Sequence, residues 1–363
     1  FNEGLRRMTV VLFMVGYGLV TIPGVLYSGS IAVLQLFDIP SLLSVTYSQG
    51  LVITIIAVGC LGAMYAVFGG LRAVAISDTL NGIGLLIIGI LVPVLGLSTL
   101  GEGSFLDGIK IITSSETQKL NAIGSSEDPT PFGTLFTGMI FANLFYWCTN
   151  QYVIQRTLAA KNLAEGQKGV LFSGFFKVLV PFLMMIPGVI AFHLYGSGME
   201  SIDLAYPALI RDVLPIYATG FFLAVLLGAV FSSFNSLINS AATLFCLDIY
   251  SPLKKGVVDD SEMVRVAKVA SIFIALFSFV IAPLLQYAPE GLWQVMRIFT
   301  GFYNIPVIAI VVVGLFTRQV PALGPKVIIF FHIITYSLFQ FILSDLITIH
   351  FIHLYAILFF SEV

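Results

Sequence analysis

Long apolar runs separated by short polar turns follow one another from end to end of the chain. Each run can form a helix of about 20 residues, which is enough to cross the hydrocarbon core of a bilayer. The runs lack the strict alternation of apolar and polar residues that membrane β-strands show, so we predict helices. Ten candidate spans result, at about 8–36, 45–68, 73–100, 132–157, 168–195, 214–248, 264–286, 290–316, 324–344 and from Thr348 onward.

The composition supports a lipid environment for most side chains. Of 363 residues, 58% are hydrophobic and only 10% are charged, whereas a soluble domain carries about 25% charged residues. In lipid every backbone polar group must be bonded internally, and a helix achieves this within one segment. We therefore predict an all-α polytopic membrane protein in which residues 1–363 form a single transmembrane domain. The net charge of −2 gives no reason to expect a nucleic-acid partner.

Basic residues at the ends of the spans are distributed unequally between the two sides. One side carries Arg6, Arg7, Arg72, Arg156, Lys161, Lys168, Lys254, Lys255, Arg265, Lys268, Arg318 and Lys326, and the other carries only Lys110, Lys119 and Arg211. Because cytoplasmic loops are enriched in Lys and Arg, we predict that the first side, which includes residue 1, is cytoplasmic. The acidic segment 101–131 is then an extracellular loop, and a bacterial inner membrane is the expected location.

The fourth span contains a dense group of polar and aromatic residues. Asn143, Thr149, Asn150 and Gln151 interrupt an otherwise apolar run that also holds Tyr146. This pattern favours a helix that is broken or lines a cavity, where amides can bind solute hydroxyls and rings can stack on a flat face. The alternative is hydrogen bonding between packed helices.

The sixth span has a face of small hydroxyl residues. Ser232, Ser236, Ser240 and Thr243 recur at helical spacing, together with Asn239. Hydroxyl and carbonyl oxygens with little fixed charge can coordinate a dehydrated sodium ion. The alternative is a seam of small residues that lets two helices approach closely.

Three ionisable residues lie within the spans, where a charge is costly and therefore indicates function. Lys177 in span 5 either faces an interior cavity or extends to the cytoplasmic interface. Arg297 in span 8 cannot lose its charge, so it needs an anion, carbonyl groups or a structural acid. Asp78, close to the cytoplasmic end of span 3, fits either a cation site or a salt bridge at a helix end.

Several longer motifs resemble the sodium:solute symporter family, including bacterial members whose solute is not settled. The motifs are FGGLRAVA at 68–75 followed by Asp78, YWCTNQ at 146–151, QRTLAAK at 155–161, Ser232 with Ser233, NSAATLF at 239–245 and DIY at 248–250. The resemblance runs from span 1 into span 9. It implies a LeuT-type fold of two inverted five-helix repeats that works by alternating access, with sodium as the coupling ion. In that fold core helices 1 and 2 precede residue 1, so we expect this chain to lack them.

The resemblance also implies the positions of the sites. The family's sodium site corresponds here to the backbone carbonyl of Ala229 and the hydroxyls of Ser232 and Ser233. A second cation path corresponds to Asp78. Solute binding corresponds to Asn143 and Lys177, with Tyr146 as the aromatic residue that closes the inner gate.

Two positions depart from the sugar-transporting members of the family. Thr21 stands where such a member has asparagine, and Arg297 stands where it has a solute-binding glutamine. An amide both donates and accepts, whereas a guanidinium only donates and prefers carboxylate, sulfate or phosphate. We expect a sugar, a polyol or an acidic sugar, with galactose itself disfavoured.

Other classes of function remain as alternatives. Proton coupling in the same fold would need a titratable group at the ion site, and Asp78 is the candidate. A transporter body attached to a signalling domain would act as a sensor. The sequence shows no HExxH motif, no pair of catalytic acids and no Ser/His/Asp constellation, so an enzyme is not expected.

Overall fold

The computed structural model describes residues 2–126, 128–199, 201–254, 259–288, 291–317, 320–344, 346 and 349–363, without the side chains of 66–76. Lys255, Arg318 and Thr348, which entered the sequence predictions, lie outside the described residues, as does residue 127 of the segment 101–131. Arg72 lies within a helix, but its side chain is not described. Every regular element of the described part is helical.

The main helices follow one another with short connections. In chain order they are α1 Glu3–Leu36, α2 Tyr47–Leu100, α3 Phe105–Ser114, α4 Gly138–Cys148, α5 Gln151–Leu158, α6 Leu163–Lys177, α7 Pro181–Tyr195, α8 Ala205–Val213, α9 Ile216–Leu253, α10 Asp260–Tyr287, α11 Gly291–Phe316, α12 Leu323–Ile342 and α13 Phe351–Glu362. Within the described residues, seven helical stretches are long and apolar enough to cross a membrane. There are eight when α6 and α7, bent by 43°, are counted as one span.

Spans 2 and 3 of the sequence prediction are confirmed as two membrane-long stretches, Tyr47–Tyr65 and Ser77–Leu100. Helical backbone continues between them through the Gly69-Gly70 pair, so both belong to α2. Each glycine costs only about 1 kcal/mol in a helix interior, so the pair does not end the helical backbone. The two halves of α2 join different hydrophobic clusters, with Leu51 in one and Val92 in the other.

The tenth predicted span begins as a buried helix. Helix α13 contains 12 residues of this predicted span, most of them buried. It packs against α4, α11 and α12. Gly138 and Gly301 allow this approach, because an added Cβ would lie 1.7 Å from the Ile352 carbonyl and 2.4 Å from the Tyr355 ring.

Charged residues collect at opposite ends of the helices, as the sequence prediction requires. At one end Arg6 pairs with Asp248 and Lys254 pairs with Glu262. At the other end the ammonium of Lys119 lies 4.3 Å from the centre of the Phe192 ring. These contacts agree with the predicted sides of Arg6, Lys254 and Lys119, while the sides of the other cations and the assignment of one end to the cytoplasm stay predictions.

Candidate functional site

The fourth predicted span is broken in the middle, which confirms the interpretation of its polar residues. Helix α4 ends at Cys148 and α5 starts at Gln151. The carbonyl of Phe145 accepts from the backbone N–H groups of Thr149 and Asn150 and from the Thr149 hydroxyl, so regular helical bonding stops there. The Asn150 side chain is buried and accepts a 2.6 Å hydrogen bond from the Tyr17 hydroxyl. This bond fixes the break against α1.

A cavity of about 320 Å³ lies at this break; we call it the central cavity. Helices α1, α4, α6 and α11 all contribute to its lining. Of the predicted solute-binding residues, Thr21, Asn143, Tyr146, Lys177 and Arg297 all line it. Gln151, the sixth predicted residue, is half-buried at the start of α5 and does not line the cavity.

Tyrosine hydroxyls surround one part of the central cavity. The Tyr152 hydroxyl donates to the Tyr146 hydroxyl at 2.9 Å, and the Tyr152 ring meets the ring of Tyr17 edge-on. The hydroxyl of Thr21 lies 3.3 Å from that of Tyr303. Tyr146, the predicted gate residue, is thus one member of a connected group that includes residues from both sides of the break.

The sequence predictions missed several residues that line the central cavity. Tyr303, Asn304 and Tyr355 all belong to it. An asparagine inside the apolar span 8 was an available signal that we did not use. Tyr303 and Tyr355 gave no such signal, because aromatic residues are common within the apolar run of a buried helix.

The position of α11, which carries Arg297, is held from outside the membrane segment. Asp203, in the turn Ile202–Leu204, accepts a 3.0 Å hydrogen bond from the backbone N–H of Leu292. Burial raises the pKa of the Asp203 carboxyl above its ordinary value. This contact ties the start of α11 to the segment that precedes α8.

The predicted sodium residues lie on α9, outside the lining of the central cavity. Ala229, Ser232 and Ser233 are all half-buried. The Ser232 carbonyl accepts a 2.7 Å hydrogen bond from the Ser236 hydroxyl. Two hydroxyls and one carbonyl are hard, uncharged oxygen ligands, the donor type that suits a sodium ion as cargo.

Asp78 and Ser232 are joined by Arg156, which the sequence analysis placed among the basic residues at the span ends and in the motif 155–161. Arg156 of α5 donates to the Asp78 carboxylate from Nε at 2.9 Å and from Nη2 at 2.5 Å. The same Nη2 donates to the Ser236 hydroxyl at 2.7 Å and to the Ser232 hydroxyl at 3.4 Å. Of the two alternatives for Asp78, the structure therefore has the salt bridge.

Comparison with known proteins gives one family. A family model described as the sodium:solute symporter family matches residues 13–325. The uncharacterized symporter YidK of Escherichia coli (strain K12) is 43% identical over 356 residues, which cover 98% of this chain and 62% of that protein. The sodium/glucose cotransporter of Vibrio parahaemolyticus is 30% identical, over 89% of this chain and 62% of its own length. The chain thus spans less than two thirds of these relatives.

A solved structure supports the fold. A Na+-coupled sialic acid symporter, in a substrate-bound outward-open state, superposes with a TM-score of 0.80 at 20% sequence identity. The match covers 100% of this chain and 73% of that one. The expected all-α, LeuT-type fold is confirmed, while the expected absence of core helices 1 and 2 stays a prediction.

Proposed function

Because the chain belongs to the sodium:solute symporter family, we propose that it forms the body of a transporter that uses sodium entry to drive uptake of a small polar solute. The solute is a sugar, a polyol or an acidic sugar. One observation carries the proposal: the break between α4 and α5 opens into a cavity lined by Thr21, Asn143, Tyr146, Lys177 and Arg297. Solute sites at broken helices near the bilayer midplane are typical of such transporters.

The side chains divide the binding task. Asn143 and Thr21 offer amide and hydroxyl groups to solute hydroxyls, and Lys177 and Arg297 offer only donors. Tyr146 and Tyr152, joined by their hydroxyls, block the path past α5. Alternating access then requires this pair to separate when the solute leaves toward the cytoplasm.

Sodium is the second cargo of the proposed cycle. The carbonyl of Ala229 and the hydroxyls of Ser232 and Ser233 would coordinate it on α9. A ligand shifts a conformational equilibrium only by its difference in affinity for the two states. Sodium therefore favours the outward-open state if these oxygens converge in that state alone, and the solute then permits closure.

The proposal is tested with the full-length protein in liposomes that carry an inward sodium gradient. Removal of one of two ligand hydroxyls in Ser233→Ala is expected to raise the sodium concentration for half-maximal uptake at least fivefold. Ser28→Ala removes an exposed hydroxyl from α1 and serves as the matched control. An unchanged sodium dependence in Ser233→Ala, or uptake that needs no sodium and stops with a proton uncoupler, contradicts the proposal.

A further inference from the structure

The central cavity has cationic residues but no acidic residue among those described as lining it. Lys177 and Arg297 come from different helices, α6 and α11. Within the described part of the chain, neither has a carboxylate oxygen within 4.0 Å. Such a partner is present for Arg6, Lys110, Arg156, Lys168, Arg211 and Lys254. The two cations thus bring positive charge to the cavity without a paired carboxylate among the described residues.

Arg297 is held in place by uncharged neighbours. Its guanidinium donates to the Thr130 hydroxyl at 2.9 Å and lies 2.8 Å from the Met139 sulfur. The rings of Phe351 and Trp293 lie 5.6 and 6.0 Å from its central carbon. These contacts orient the planar guanidinium group but do not neutralise its positive charge. A guanidinium has five N–H donors and stays charged, so several donors remain for an anion.

Lys177 provides a second positive charge at the same cavity. It is the last residue of α6, and its ammonium lies 4.6 Å from the centre of the Trp147 ring. A cation–π contact contributes roughly 0.5–1 kcal/mol at an exposed site and does not neutralise the charge. Two like charges near one small cavity both favour an anionic occupant.

Asn304 supplies the complementary acceptor. It lines the central cavity, is 9% exposed, and its Oδ1 atom has no hydrogen-bond partner among the described residues. An unbonded buried acceptor is costly, so a hydroxyl donor from the solute would stabilise the occupied site. The cavity of about 320 Å³ lies at the low end of the usual range of about 300–1,000 Å³ for small-molecule sites.

We propose that the solute is a hydroxylated anion of monosaccharide size, namely a sugar acid or a sugar sulfonate or sulfate. Its acidic group binds the guanidinium of Arg297, and a hydroxyl donates to Oδ1 of Asn304. Lys177, which lines the same cavity, adds attraction for the anion and donates to ring hydroxyls. This inference rests on the proposed symport function and narrows it to one class of solute.

The test uses the full-length protein in liposomes with an inward sodium gradient. Uptake is measured for D-glucuronate and D-gluconate as carboxylates, glucose 6-sulfate as a sulfate, and glucose and myo-inositol as neutral probes. We expect the wild type to take up at least one acidic probe tenfold or more faster than either neutral one. The acidic probe that is preferred distinguishes carboxylate from sulfate.

Variants connect this preference to the cavity. Arg297→Gln keeps hydrogen bonding but removes the charge, and it is expected to lower the ratio of acidic to neutral uptake at least tenfold. Lys177→Gln should lower uptake of the acidic probe by a smaller factor. Lys110→Gln removes an exposed charge outside the cavity and should change nothing. Binding of the acidic probe to detergent-purified Arg297→Gln, compared with Arg297→Lys, tells a folding defect from a lost contact.

Different results overturn the two proposals. If the wild type takes up neutral probes with sodium but no acidic one, the inference about the solute is wrong and the symport function stands. The inference also fails if Arg297→Gln keeps the acidic preference. If acidic probes enter equally with and without sodium, the anion site stands and the sodium-coupled function is wrong.

Discussion

Three side chains hold the carbonyl groups of α11 around Arg297. The Tyr355 hydroxyl donates to the carbonyl of Arg297 itself, and the Tyr336 hydroxyl donates to that of Ile298 at 2.9 Å. One turn further along, Nε2 of His332 lies 3.1 Å from the Gly301 carbonyl. Because a carbonyl can only accept, that nitrogen carries a proton. The backbone that presents the guanidinium is therefore fixed by α12 and α13.

Tyr355 is thus expected to act as a positioning residue. Tyr355→Phe removes one hydrogen bond with a net value of about 0.5–1.5 kcal/mol, so the half-saturation concentration for the transported solute should rise about two- to tenfold. The sodium dependence should not change, since Tyr355 is not among the sodium-site residues. Tyr287→Phe removes an exposed hydroxyl and is the matched control in the same uptake assay. An equal shift for sodium and solute would instead indicate a general loss of structure.

At the scale of helices, Arg156 connects α5 to both α2 and α9. It pairs with Asp78, and it also donates to the hydroxyl of Ser232, a predicted sodium ligand. A guanidinium at that hydroxyl repels a sodium ion bound there, and a carboxylate nearby attracts it. We therefore expect opposite effects: Arg156→Gln lowers the sodium concentration for half-maximal binding about threefold or more, and Asp78→Asn raises it.

The measurement is sodium binding to the purified full-length protein, followed by tryptophan fluorescence or calorimetry. Arg6→Gln breaks the ion pair between α1 and Asp248 of α9 and should leave sodium binding unchanged. Shifts in the same direction for Arg156→Gln and Asp78→Asn would mean that both residues act only through the stability of α5. The opposed result places their charges within range of the ion.

The helices differ in how far the sequence could predict them. The break at Asn150 was predictable because polar residues are rare within an apolar run, and Lys177 and Arg297 were flagged for the same reason. The burial of α13 was not, since apolar residues look alike whether they contact lipid or protein. The Arg156–Asp78 pair joins residues 78 positions apart, and nothing local connects them. The backbone between spans 2 and 3 is helical through the Gly69-Gly70 pair, so paired glycines are a weak signal for a helix end.

For the molecule as a whole, the predicted separation of charges indicates its orientation in the membrane. Arg6, Lys254 and Lys326 belong to the end rich in cations, and an added Cβ at Gly4 would lie 2.8 Å from the Lys326 ammonium. Lys119 belongs to the other end, against α7. Because cytoplasmic loops carry an excess of Lys and Arg, the end rich in cations is predicted to be cytoplasmic and the segment 101–131 to face outward.

Single cysteines test this orientation directly. The native cysteines of the full-length protein are first replaced by alanine, and a single cysteine is then introduced as Lys119→Cys or Lys168→Cys. Both positions are exposed, and they lie at opposite predicted ends of the molecule. A membrane-impermeant maleimide added to intact cells should label Lys119→Cys at least tenfold more than Lys168→Cys, because only the first is outside. After permeabilisation the two should label alike, which controls for reactivity. Strong labelling of Lys168→Cys in intact cells would contradict the predicted orientation, and with it the direction of the proposed sodium-driven uptake.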